Sequence, residues 1–133
     1  MIEPDFARYS LALIHEERIV FTSEKLGLEP IVECLAACRG RYRDCTLHDR
    51  VFGLAAARLA APAELIKTIV TPVISQPALA FLEAAGIEVR AGKIVEGILT
   101  RDRSRVCPGE VIALESKDPA LFYERIMALI NGD

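Results

Sequence analysis

Cys107-Pro108-Gly109-Glu110 is a helix-opening pattern, because proline is tolerated at the first helical position, where its missing N–H removes no bond. A cysteine just before that proline sits near the positive end of the helix, where the thiolate is favoured, so Cys107 is a candidate nucleophile. The competing assignments are an ordinary cap and a small buried residue, with Glu110 at the third helical position folding back in a capping box. Upstream, Arg101-Asp102-Arg103-Ser104-Arg105 brings three guanidinium groups next to the unpaired N–H groups of the same helix start. That combination suits an anion or phosphate, and the alternative is a solvated loop.

Four soft ligands lie close together further up the chain, Cys34-x3-Cys38 and Cys45-x2-His48. Their spacing is not far from that of structural zinc sites. Cys34 and Cys38 also share a helical stripe with Ile31 and Leu35, and thiols are among the most buried side chains, so core packing accounts for both without metal. No metal and no cofactor is expected. His15 lies within an apolar strand and reads as a packed or edge histidine. Asp49 reads as a helix N-cap which, at a pocket rim, can also orient a ligand, and Ser75 reads as the cap of a later helix.

The elements that must position these residues can be read from hydrophobic period and punctuation. Ser10–His15 and Arg18–Ser23 form two short apolar strands around Glu16-Glu17, a hairpin whose turn lacks the usual glycine. A helix starts at Pro30 and stops at Gly40; a second follows Asp49 through Val51, Leu54, Ala55 and Leu59, its alanines suited to close packing on a sheet. Ile66–Val70 reads as a strand covered on both faces, followed by a helix ending at Gly86 and a strand over Ile87–Arg90. Helices opening at Pro108 and at Asp118-Pro119 complete the chain, whereas Ile94–Thr100 fits neither period. The expected product is an α/β fold with a mixed sheet and helices on both faces, an N-terminal hairpin leading into parallel strand–helix units. In such sheets ligands gather outside the carboxyl ends of the strands, which directs attention to the loops before Asp49, Ser75 and Pro108.

Composition sets the outer limits. The 133 residues, 52% of them apolar, suit one domain with its own core, residues 1–133. A charge of −3 disfavours a nucleic-acid surface, and the longest apolar stretch, Ile66–Leu82, is broken by Lys67, Gln76 and two prolines, so no membrane span is expected. The acidic start of the chain does not resemble a signal peptide, and the four irregularly spaced cysteines suit thiols in a reducing, cytoplasmic setting. A positive mean hydropathy of +0.29 on so short a chain suggests apolar surface covered by a second copy, a homodimer. The last helix, with Phe122, Tyr123, Ile126 and Ile130, is the candidate contact.

Several of these motifs occur together in a known pattern. Ser23-x3-Gly27-x2-Pro30-Ile31, Asp49-Arg50-Val51-Phe52-Gly53-Leu54-Ala55-Ala56-Ala57, Ile74-Ser75, Ala85-Gly86-Ile87, Arg101 and Cys107-Pro108-x-Glu110 follow in order over nearly the whole chain. The sequence thereby resembles a bacterial and archaeal family of unknown function described as having a cytidine-deaminase-like fold. The resemblance implies a three-layer α/β/α sandwich with a pocket between the N-termini of the Asp49 and Cys107 helices. Working deaminases of that fold carry His-or-Cys-x-Glu on one helix and Pro-Cys-x2-Cys on the other, so that three ligands hold zinc and the glutamate moves protons. Here Arg50–Ala61 contains no His, Cys or Glu, and the second motif offers only Cys107, so zinc-dependent deamination is not expected. The family usually has lysine where this chain has Leu54. The resemblance puts Asp49, Arg50, Arg101, Cys107 and Glu110 around the pocket.

The leading expectation is a small-molecule binding domain for a nucleotide or other phosphate-bearing ligand, using Asp49, Arg50, Ser75, Arg101, Pro108 and Glu110. The rivals are a thiol-dependent enzyme with Cys107 as nucleophile and a non-catalytic regulatory or oligomerisation module.

Overall fold

The computed structural model describes residues 2–99 and 106–132. Strands β1 (Leu11–His15) and β2 (Arg18–Ser23) form the expected hairpin. Its turn needs no glycine because Glu16 and Glu17 themselves take left-handed backbone, with φ of 50° and 66°. Helix α1 (Glu29–Cys38) leads to β3 (Cys45–Asp49), which lies antiparallel to β1 and parallel to the long β5 (Ile66–Ser75). Between them come β4 (Val51–Phe52) and α2 (Leu54–Ala60). After β5 follow α3 (Gln76–Ala84), β6 (Glu88–Val95), α4 (Pro108–Glu115) and α5 (Pro119–Ile130).

The sheet is mixed and six-stranded. β3 and β4 pair with successive halves of one edge of β5, and β6 runs parallel along the other. Pro72 lies within β5, where a proline is normally excluded for want of a ladder N–H. It is tolerated because β3 pairs with β5 as far as Val70 and β4 begins pairing at Val73, so Pro72 falls at the break between them. On the opposite side Gly92 makes room for it: a Cβ there would come within 2.9 Å of the Pro72 carbonyl oxygen. The expected strands Ile66–Val70 and Ile87–Arg90 are thus the first halves of longer ones, and the undecided Ile94-Val95 belongs to β6.

Asp49 is not a helix cap. It ends β3, β4 intervenes, and α2 starts at Leu54 with Gly53 in the N-cap position. Ser75 does cap α3, its Oγ accepting the Ala78 N–H at 3.3 Å, and Asp118 caps α5 through Leu121 at 2.9 Å.

α2 is central. Six of its seven residues are buried, because it packs against α1, α3 and α4, which accounts for its run of alanines. One large core joins residues of all five described helices to the sheet, among them Leu13, Leu47, Ile69, Ala56 and Ile126. A smaller cluster, Tyr9, Ala12 and Ile14, is covered by Ile2 and Phe6 from the chain before β1. Phe122 and Ile126, expected at a contact between copies, are core residues with 3% and 0% exposure; on α5 it is Leu121, Tyr123 and Leu129 that face outward. Among the described residues no helix is long and apolar enough to cross a membrane.

Candidate functional site

The start of α4 is wedged against the start of α2. At Gly109 a Cβ would lie 3.1 Å from Leu28 Cδ1, just before α1, and 3.7 Å from the Ala55 Cβ of α2, so a glycine is what permits the approach. At Gly53 a Cβ would meet Glu110 Oε1 at 2.6 Å and Ile98 Cγ1 at 3.0 Å. Gly53 thus leaves room for the Glu110 side chain, while Gly109 leaves room for Leu28.

Glu110 is 2% exposed. Its Oε1 accepts the N–H of Leu54, so the carboxylate of one helix caps the first turn of another, whose own N-cap residue has no side chain to do so. Its Oε2 is fully buried and has no hydrogen-bond partner among the described residues. The capping box expected between Glu110 and Cys107 is not formed, because the Cys107 N–H donates to the Ile98 carbonyl at 2.7 Å. The same pairing, continued by the Leu99–Val106 bridge, brings Ile98 against Gly53. Among the described residues no side chain caps α4, and Pro108 occupies its first position.

Cys107 is partly exposed, whereas Cys34, Cys38 and Cys45 are buried. Burial raises the pKa of all three buried thiols, that of Cys45 to about 11. Cys34 and Cys38 lie one turn apart on α1, both buried. The four-ligand grouping with His48 does not assemble: Cys45 packs in the main core, while His48, an odd number of residues away on the strand, points to the other face and meets the Tyr9 hydroxyl at 3.2 Å. Burial lowers the pKa of His48. No group of three or more metal-ligating side chains occurs among the described residues.

The remaining expected site residues are distributed. Arg50 directs its guanidinium to the carbonyls of Phe6 and Tyr9, fastening the N-terminal segment. Ser75 is fully buried and engaged as a cap. Burial pushes Asp49 up to about 8. Arg101 lies outside the described residues. Of the seven, Cys107, Pro108 and Glu110 come together, by adjacency in sequence. The structure adds Gly53, Leu54 and Ile98, which no motif marked as a group, since their meeting depends on how α2 and α4 pack.

These features define an α/β domain with a mixed six-stranded sheet and a buried glutamate joining two helix starts. Residues 6–130 match the family model described as a domain of unknown function (DUF1893), and the chain belongs to that family. It is also similar to the crystal structure of a DUF1893 family protein, TM1506, from Thermotoga maritima, with a TM-score of 0.79 and 27% identity over 92% of this chain and 81% of that one. No curated protein matches it.

Proposed function

We propose that this chain is a small-molecule-binding domain on a deaminase-like scaffold without the metal, and that its ligand presents a hydrogen-bond donor to Glu110 and an anionic group to the start of α4. The observation that supports this reading is the unpartnered Glu110 Oε2. A buried carboxylate oxygen without a partner costs on the order of 1–3 kcal/mol, a cost relieved by a bound donor. The uncapped first turn of α4 suits phosphate, and the exocyclic amine of cytosine or adenine suits the carboxylate, so a nucleotide supplies both groups. Ile98 lies against Gly53, whose open side also receives Glu110 Oε1, and in this reading Ile98 is the side chain that yields when a ligand enters.

Calorimetric titration of the whole chain with cytidine and adenosine monophosphates, uridine monophosphate and ribose 5-phosphate tests the reading. Saturable binding of an amine-bearing base, lost in Glu110→Gln, supports it. Equal heats from ribose 5-phosphate and the nucleotides, or none from any, refute it.

Cys107 favours a second reading, a thiol-dependent enzyme, because it alone of the four cysteines is not buried and it stands at the N-cap of α4. This reading requires a ligand that forms a covalent adduct surviving denaturation, and loss of that adduct in Cys107→Ser.

A further inference from the structure

Away from Glu110 the molecule has a groove bounded by α1, α2, the α3 side chain Phe81 and the α4–α5 pair. Its volume, about 690 Å3, lies within the range of small-ligand sites. The walls are mainly apolar, with Leu35, Leu59 and Phe122 among them. Among the described residues, the charged side chains lining it are Arg39, Arg58 and Lys117, with no carboxylate.

That set of charges is unexpected on a chain of net charge −3. None of the three cations forms an ion pair with a described residue, whereas Lys25, beside the shallower depression between β2 and α1, is paired with Glu33 at 2.7 Å. Arg58 lies 4.0 Å from the Phe122 ring centroid and donates to the carbonyls of Ala113 and Ser116 at the end of α4. Those carbonyls carry only the partial negative charge of a helix end, so no full charge balances the guanidinium, and burial lowers its pKa. Arg39 and Lys117 are exposed and have no side-chain partner among the described residues. Docking a second copy here would desolvate three unpaired cations, an unfavourable arrangement.

We propose that this groove binds an amphipathic monoanion, a small carboxylic acid whose apolar body lies along Leu35, Phe81 and Tyr123 and whose carboxylate faces the unpaired cations. Apolar walls supply affinity through buried area, and the cations select the sign of the head group.

The test is calorimetric titration of the full chain with decanoate and, in parallel, with neutral decanol at the same concentrations. Saturable binding of decanoate is expected, with decanol about tenfold weaker or worse. Arg39→Ala/Lys117→Ala, changed at two exposed positions, should weaken decanoate by a similar factor and leave decanol unaffected. Ala36→Trp, which fills the groove from an exposed position on α1, should abolish binding of both while the melting temperature stays unchanged. The proposal is overturned if decanoate shows no saturable binding, if decanol binds as well, or if sedimentation finds a dimer that occludes the groove and that decanoate does not dissociate. Glu110→Gln should leave decanoate binding intact, which separates this test from that of the nucleotide site.

Discussion

Glu110 divides one carboxylate between two tasks, and the two oxygens predict different mutational outcomes. Oε1 caps α2 through the Leu54 N–H, so Glu110→Ala should destabilise the fold by about 1 kcal/mol for the lost cap, with a further cavity cost. Glu110→Gln retains an acceptor for that N–H; chemical denaturation should therefore place it closer to wild type than the alanine variant. A gap in the opposite order would show that the cap is not what Glu110 contributes to stability. At Cys107 the contrast is one of access. Iodoacetamide near neutral pH should modify Cys107 well before Cys34, Cys38 and Cys45, which are buried and hold their protons, and peptide mass mapping reads the order directly. At this scale Cys-Pro-x-Glu was legible as a helix start because proline and its neighbours act locally. The partner of Glu110 was not, since Leu54 is 56 residues away and only packing brings it there.

Among the elements, α2 depends most on its neighbours: seven residues are too few to hold a helix in isolation, so its formation rests on tertiary contacts. Gly53→Ala should cost about 1–3 kcal/mol by forcing the added methyl against Glu110 and Ile98, and a denaturation midpoint equal to wild type would mean that the contact relaxes freely. Ser75→Ala removes a formed cap and should cost about 1 kcal/mol. The hairpin, α1, the Ser75 cap and the two C-terminal helices were readable from period and punctuation. Asp49 was misread because an acidic residue before an alanine-rich helical run has the local signature of an N-cap. What local sequence cannot show is that the strand continues as β4 past a break shared with Pro72, a feature of three strands at once. The same break accommodates Pro72 inside β5, because it leaves no partner for the N–H that proline lacks.

For the whole molecule, His48 and Asp49, the last two residues of β3, predict the pH profile near neutrality. The folded-state pKa of Asp49 is raised to about 8, so the native state holds a proton that the unfolded chain has released, and its contribution is lost as pH rises from the ordinary carboxylate range towards 8. His48 has a lowered pKa, so its contribution is lost as pH falls below the usual imidazole value. Above about pH 6.5 only the Asp49 effect operates, and unfolding free energy should decline towards pH 8. Asp49→Asn should flatten that decline, whereas an unchanged slope would remove Asp49 as its cause. The α/β class and mixed sheet were legible from the order of apolar segments. The expectation of helices on both faces was drawn from the succession of strand and helix segments, while the described helices share one core and the chain before β1 covers Tyr9, Ala12 and Ile14. Central to the functional account is the free oxygen of Glu110, and the most direct measurement is a crystal structure of the chain with cytidine monophosphate. The predicted result is an amine nitrogen about 2.9 Å from Glu110 Oε2, phosphate at the start of α4 and Ile98 displaced. An undisplaced Ile98 with an ordered water on Oε2, and the nucleotide absent or bound elsewhere, would contradict it.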